Sequence, residues 1–467
     1  MEVKAYERVA DKIRQVIEEG SINPGDILPS ERQTAERYGV SRSTVRRAWR
    51  DLESMGYIVW ADQSSPTVVG PSAWPHKVER SSMGRVSSTS QPGFLSDLMQ
   101  AAVSPARYNF DIGMPDPDLL PVADFQRIMH ELFSYPSRDV FGYSPTTGLT
   151  RVRQALREEY LARRQFEPGM DQILVTAGSL QGLDLLTRLW VKPGDVVITE
   201  NPTFAGALHV FRAHGAQIVG IPIDAEGMQV DLLETAARRG HRPKFVYVQP
   251  IAQNPTGVSL SPVRRRLLLE WANHSGIPII EDDAYGFLAD HPPLAATPGA
   301  MVVYLNTLSK ILSPGIRVGC LVAPPDLIRQ LVSLKQLSDL HTSTLSQLVA
   351  EGWLRMGDVD THISRARAIY ASRLKTALKV LETTRVLTPF TKAGLGFYLF
   401  TRLETDASAN YLHQEGSHQD LLFAPGEPFG AGPSDFRQWI RIAVGAQPTA
   451  QIETGLRRLA RLVEHHT

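Results

Sequence analysis

Lys310 lies in the run YLNTLSKILSPGIRVG, just after a short apolar stretch, with Thr307 and Ser309 beside it and Arg317 seven residues on. A primary amine forms an imine with a carbonyl compound. Hydroxyls and a guanidinium are side chains that hold a phosphate. Together the four make an imine-forming amine inside a phosphate-binding set, whereas a lone lysine after a strand is more often a surface residue. Asp282, in IPIIEDDAY, follows another apolar stretch, with Tyr285 three residues on and Glu281 and Asp283 as neighbours of the one functional acid. Asn254, in QNPTG, follows a third stretch, although NPTG alone reads as an ordinary proline turn capped by Asn. TAGSLQGLDLL is a strand–glycine–helix junction. The N–H groups of Ser179 and Leu180 would face an anion at its positive helix start, a signal that many α/β junctions share. Phe204, in ENPTFAG, sits just past a strand where it could stack on a ring; a lone aromatic there is more often core.

These residues share a position, because each follows a short apolar run. The runs are 172–176, 195–199, 217–222, 245–248, 277–281, 302–306 and 317–322, rich in Val and Ile and bounded by Gly, Pro or Asp. Near-continuous apolar strands imply burial on both faces. Helical stretches between them, such as 179–189 and 262–275, imply right-handed crossovers. The expectation is an α/β fold with a mainly parallel sheet covered by helices, binding its ligand at the strand ends. After about residue 325 the pattern turns helical, then strand-like near 394–400 and 439–444, which fits a second, smaller α/β domain. Placed this way, the residues answer the needs of pyridoxal 5′-phosphate chemistry. These are a lysine for the Schiff base, a carboxylate keeping the pyridine nitrogen protonated, donors to the 3′-oxygen, a stacking aromatic and a phosphate cradle.

The first 70 residues have a different character. Ser30 stands three residues before Gln33, a capping-box spacing, and Gly39 is placed to end that short helix. Val40 would pack between helices, Ser41 opens a second helix and Gly56 closes it. Two short helices across a glycine turn make a helix-turn-helix candidate. Residues 1–70 hold ten Lys/Arg and eleven Asp/Glu, yet Arg42, Arg46, Arg47 and Arg50 crowd the second helix. Arginine suits both phosphate contacts and guanine reading, Arg42 and Arg46 share a face, and Ser41, Ser43 and Thr44 could donate to phosphates. On charge alone a solvated basic face accounts for this equally well. Residues 71–93, with six Ser and three Pro and no apolar period, read as a linker. The whole chain has 49 basic and 49 acidic residues, so net charge points to no nucleic acid or membrane. A single cysteine, Cys320, and the lack of an apolar leader or an 18-residue apolar run suggest a cytoplasmic protein with no membrane partner.

The order Pro24-Gly25-Asp26, Leu28-Pro29-Ser30, Arg32, Val40-Ser41-Arg42, Thr44-Val45, Leu52 and Gly56 closely resembles the GntR-type winged helix over about 65 residues. The resemblance implies double-stranded DNA as partner, with Arg32, Ser41, Arg42, Thr44 and Arg46 against it. The wing, WADQSSPTVVG, departs from the pattern in having no glycine before Gly70. Residues 106–465 resemble fold-type I, aspartate-aminotransferase-like enzymes. That resemblance implies that Lys310 forms an internal aldimine with pyridoxal 5′-phosphate and that Asp282 pairs with the pyridine nitrogen. Asn254 and Tyr285 would bind the 3′-oxygen, Phe204 would stack, and Ser179, Leu180, Thr307, Ser309 and Arg317 would hold the phosphate. Tyr143, in FGYSPTTG, matches a tyrosine reaching the neighbouring subunit's phosphate, which implies a homodimer. Arg441, in RQWIRIAVG, matches the arginine that clamps a substrate or effector carboxylate, with Arg437 as its rival. His362 and Arg367 match a surface stretch of the family, and Gly396 stands where a His is common.

The two halves in this order resemble the MocR subgroup of GntR regulators. Composition and pattern divide the chain into domains at 1–70, 71–93 and 94–467, the last with a large part at about 120–325 and a small part at about 326–467. The resemblance implies a transcription regulator whose aminotransferase-like domain senses an amino compound or a B6 form through Lys310, typically as a head-to-tail dimer. The alternative is a working aminotransferase with a DNA-binding appendage, for which Lys310, Asp282 and Tyr285 would be catalytic.

Overall fold

The structure is a computed structural model. It describes residues 4–467 except 19–21, 23–24, 56, 61–64, 70–100, 102–103, 135–139, 239–241, 393 and 433–434. Pro24, Gly56, Gly70 and the expected linker at 71–93 lie outside the described residues. The chain forms two compact units, Met1–Thr89 and Ser90–Thr467.

In the first unit, helices α1 (Ala5–Glu18), α2 (Glu31–Tyr38) and α3 (Arg42–Ser54) precede strands β1 (Ile58–Val59) and β2 (Thr67–Val68). The Ser30 hydroxyl caps the Gln33 N–H and the Gln33 side chain accepts from the Ser30 N–H, so both halves of the capping box are made. Gly39 ends α2 at φ 63. Ser41 caps α3 through the Thr44 N–H. Val45, Ala48, Trp49 and Leu52 turn the apolar side of α3 onto Val9, Ile13 and Ile17 of α1. That period leaves Arg42, Arg46, Arg47 and Arg50 exposed. β1 and β2 pair antiparallel, Ile58 opposite Val68, as the base of a wing.

The first described strand of the second unit is β3 (Tyr108–Phe110). The strands that follow are β4 (Ile173–Thr176), β5 (Val196–Asn201), β6 (Gln217–Asp224), β7 (Gly227–Met228), β8 (Val246–Val248), β9 (Ile279–Asp282), β10 (Val302–Thr307) and β11 (Gly319–Val322). Among the described residues these build an eight-stranded sheet in the order β4-β11-β10-β9-β8-β5-β6-β7. The strands from β10 to β6 run parallel. β11 runs antiparallel between β10 and β4, and β7 is an antiparallel turn-back on β6. Helices Ser179–Trp190 and Pro262–Ser275 lie where the sequence placed helical connections, between β4 and β5 and between β8 and β9. β6 departs from the expectation of burial on both faces: its first four residues are partly or fully exposed, because cover there is incomplete.

β12 (Leu387–Pro389), β13 (Tyr398–Leu403), β14 (Leu421–Pro425) and β15 (Trp439–Ala443) form a second sheet, in the order β12-β13-β15-β14-β3. The expected start of the small part at about 326 is corrected in two ways. Helices Pro325–Ser338 and Thr344–Met356 bury Ile328, Leu331, Trp353 and Leu354 in the cores of the large sheet. The small sheet is completed by β3, which pairs parallel with β14.

Candidate active site and nucleic-acid interface

The chemistry-bearing residues gather at one edge of the large sheet. Asp282 ends β9, Thr307 ends β10, and Asn254 follows β8. Because β11 runs the other way, its start faces the end of β10, Gly319 opposite Thr307. Arg317 therefore arrives at the same edge from the opposite direction.

Asp282 is 4% exposed. Its Oδ2 accepts from the Tyr247 hydroxyl at 2.7 Å and from Gln249 Nε2 at 3.4 Å. Its Oδ1 is buried with no hydrogen-bond partner. Burial pushes this carboxyl up to about 6, against the opposing pull of the Tyr247 hydroxyl; nearby Ser179, outside hydrogen-bond geometry, and Gln249 also favour the charged form. Lys310 Nζ donates to the Gly113 carbonyl at 2.6 Å. Burial lowers its pKa, with Arg441 and Arg317 adding to the effect and Tyr398 opposing it, which shifts the amine toward its neutral, nucleophilic form.

Arg317 stands at φ 50 and donates to Ser309 Oγ at 3.1 Å and to the Ala177 carbonyl at 2.8 Å. Thr307 donates to Ser309 at 2.9 Å. The guanidinium fits because residue 178 is glycine: a Cβ there would meet Nη2 at 2.8 Å, and its φ of +95 already favours Gly. Helix Ser179–Trp190 begins at this point with no side-chain cap, and Ser179 and Leu180 are half-buried in its first turn.

Arg441, on β15, is 2% exposed. It donates to Asn254 Oδ1 at 3.1 Å and to the Asp111 carbonyl, and lies between the Tyr398 and Phe429 rings. Its Nε is buried and unpartnered. Arg437 is exposed, so the geometry distinguishes the two arginines. Tyr285 is buried, and its hydroxyl lies 2.6 Å from that of Tyr398.

Among the described residues, Phe204, Tyr143, His362 and Arg367 make no hydrogen bond to these side chains. Phe204 is half-buried against the apolar core, its ring over Gly206. Tyr143 is 89% exposed, edge-on to His341, and joins nothing in the cluster. His362 and Arg367 are half-buried, which corrects the surface expectation. His362 Nε2 bonds the Ile311 carbonyl beside Lys310, and Arg367 donates to the Phe287 and Ala289 carbonyls. Gly396 has φ +95, and a Cβ there would meet Ala252 Cβ at 2.8 Å.

A buried orphan oxygen on Asp282, a lysine of lowered pKa and a guanidinium–hydroxyl cradle fit the donor set of a pyridinium aldehyde phosphate. In the first unit, Arg42 makes no ion pair among the described residues, while Arg46 forms a two-pronged pair with Glu31 at 2.9 and 3.0 Å. Arg32 pairs loosely with Glu36 at 3.5 Å. Ser41 and Thr44 are tied to each other at the start of α3.

Comparison with known proteins decides the family. Residues 110–459 match the model of aminotransferase class I and II, and residues 5–68 that of bacterial regulatory proteins, gntR family. The chain belongs to the class I and II aminotransferases and carries a gntR-family domain ahead of that region. It is 34% identical to aromatic-amino-acid aminotransferase 1 of Thermococcus litoralis, over 75% of this chain and 87% of that protein. It is 28% identical to YisV, an uncharacterized HTH-type transcriptional regulator of Bacillus subtilis, over 98% and 96%. The probable rhizopine catabolism regulatory protein MocR of Rhizobium meliloti is 29% identical over 80% and 76%. Among solved structures, LysN, the alpha-aminoadipate aminotransferase of Thermus thermophilus, has a TM-score of 0.73. It is 30% identical over 80% of this chain and 95% of that one, and is complexed with N-(5′-phosphopyridoxyl)-L-leucine. The chain is of the MocR-like regulator type: gntR domain first, aminotransferase domain second.

In this aminotransferase-family domain, several supporting residues carry no motif in the sequence. Tyr247 and Gln249 hold Asp282, and Glu200, 2% exposed and pushed up to about 8 by burial, accepts from the Gln249 N–H at 3.1 Å. Tyr247 lies on β8 and Gln249 just past its end, two positions on. Glu281 and Asp283 are structural: Glu281 accepts the Leu294 and Ala295 N–H groups, and Asp283 pairs with Arg164 at 2.6 Å.

Proposed function

We propose that the second unit binds pyridoxal 5′-phosphate and that the chain is a DNA-binding regulator responding to an amino compound or a B6 form there. The single observation that carries the cofactor reading is the orphan Oδ1 of Asp282, a buried acceptor awaiting a cationic N–H beside a lysine of lowered pKa. Lys310 would take the aldehyde carbon, and Asp282 would hold the ring nitrogen. Asn254 and Tyr285 would face the 3′-oxygen, with Phe204 on the ring. Ser179, Leu180, Thr307, Ser309 and Arg317 would surround the phosphate. When bound, the cofactor supplies an electron sink for carbanion chemistry. Arg441 would fix a carboxylate by its fork. Tyr143, exposed on its own protomer, would reach the partner's phosphate in a homodimer, which we take as head-to-tail. Arg32, Arg42 and Arg46, with Ser41 and Thr44, would face the DNA.

A second reading, a working aminotransferase, draws on the 34% identity to a curated aminotransferase and on the intact lysine, acid and arginine. Borohydride reduction of cofactor-soaked protein should add the pyridoxyl mass at Lys310, and a colourless protein with no mass gain refutes the cofactor reading. Steady-state assays with amino donors and 2-oxo acceptors, set beside operator binding, separate regulator from enzyme. Enzyme-like turnover without specific DNA binding overturns the regulator.

A further inference from the structure

Tyr285 and Tyr398 present two hydroxyls 2.6 Å apart, and among the described residues neither has another hydrogen-bond partner. The pair holds two protons, of which the bond between them uses one. The other is a buried donor with no protein acceptor. Either hydroxyl can donate to the other, and two facts favour Tyr398 as the donor. Gly113 walls in the Tyr398 hydroxyl: a Cβ on that glycine would come within 1.8 Å of it. The Tyr398 ring is also fixed on both sides, edge-to-face with Tyr285 at 5.7 Å and under the Arg441 guanidinium at 4.8 Å.

We propose that Tyr398 is a positioning residue: it donates its proton to the Tyr285 oxygen and so aims the Tyr285 proton at the cofactor's 3′-oxygen. This rests on the cofactor reading above. Burial raises the Tyr285 hydroxyl well above its ordinary value, and the Tyr398 hydroxyl beside it raises it further, so Tyr285 keeps its proton. An oxygen that accepts one hydrogen bond donates the next more strongly. The 3′-oxygen is most negative when the nitrogen linked to Lys310 has lost its proton, so donation from Tyr285 favours that state. Weakening the donor makes the proton harder to remove. The ring of Tyr398 in turn seats Arg441, so the phenol and the carboxylate clamp share one support.

The test is a pH titration of visible absorbance in cofactor-loaded wild type, Tyr398→Phe, Tyr285→Phe and the double variant. Tyr398→Phe should lose its visible band at a pH higher than wild type by about half a unit. Tyr285→Phe should move it further in the same direction, and the double variant no further than Tyr285→Phe alone, since the outer hydroxyl acts through the inner one. Tyr398→Phe titrating with wild type, or shifts that add in the double variant, would overturn the proposal while leaving the cofactor reading intact. Wild type with no visible band and no borohydride-fixed mass at Lys310 would overturn both.

Discussion

Asp282→Asn should change stability in opposite directions without and with the cofactor. In the cofactor-free protein the carboxyl is raised from an ordinary 3.8 to about 6. Below about pH 4 the folded and unfolded chains both hold the proton, and burial costs little. From about pH 4 to 6 the folded chain retains a proton that the unfolded chain has released, so stability falls as pH rises. Above that window the full penalty stands, about 3 kcal/mol from two units at 1.36 kcal/mol each. Asparagine carries no charge, so the cofactor-free variant should melt above the parent near pH 8 and close to it near pH 4. A pyridinium N–H beside Oδ1 reverses the balance, because it satisfies the orphan oxygen and offsets the charge. A hydrogen bond to a charged group contributes about 1.5–3 kcal/mol, so the variant should bind cofactor about 10- to 150-fold more weakly. Thermal melts across that pH range, with and without pyridoxal 5′-phosphate, read both effects. Equal melting of variant and parent at both ends of the range, with equal gains from cofactor, would refute the reasoning.

Four other outcomes follow from the geometry. Glu200, raised from 4.5 to about 8, makes stability fall with rising pH across that interval by roughly 1.4 kcal/mol per unit; Glu200→Gln should flatten that fall in urea unfolding at stepped pH. Gly396→His places a side chain at φ +95 against Ala252 and should cost about 1–3 kcal/mol in the same unfolding measurement. Arg441→Lys removes the fork that holds a carboxylate, and should weaken the absorbance response to added amino acids about tenfold or more. Arg42→Ala should weaken operator binding and flatten its salt dependence by about one ion, with cofactor uptake unchanged; an unaltered salt slope in electrophoretic binding assays would count against the α3 reading.

What was legible in the sequence was local. The capping box at Ser30, the cap at Ser41 and the helix Pro262–Ser275 follow from side chains within a few residues of each other. Strand ends were legible too, and with them the residues that a parallel sheet delivers to one edge. Contacts between distant segments were not. Tyr398 meets Tyr285 across 113 positions, and β3, which precedes every strand of the large sheet in the chain, joins the small sheet beside β14. The half-burial of His362 depends on the Ile311 carbonyl, which no spacing within HISRARAIY reveals. Likewise, the basic cluster on α3 gives no sign that Arg46 is already held by Glu31.

Two side-chain contacts bear on how a regulator could work here. Lys310 rests on the Gly113 carbonyl and Arg441 on the Asp111 carbonyl, so both side chains lean on one short segment that continues β3. A ligand can shift an equilibrium only through contacts that differ between two states. A carbonyl compound taking Lys310, or a carboxylate taking Arg441, competes with those backbone oxygens. The difference in contact therefore falls on residues 111–113, next to the first described strand of the second unit. An enzyme must release and restore these two bonds in each cycle. On the regulator reading proposed above, a ligand that held both side chains would keep these two bonds released for as long as it stayed bound.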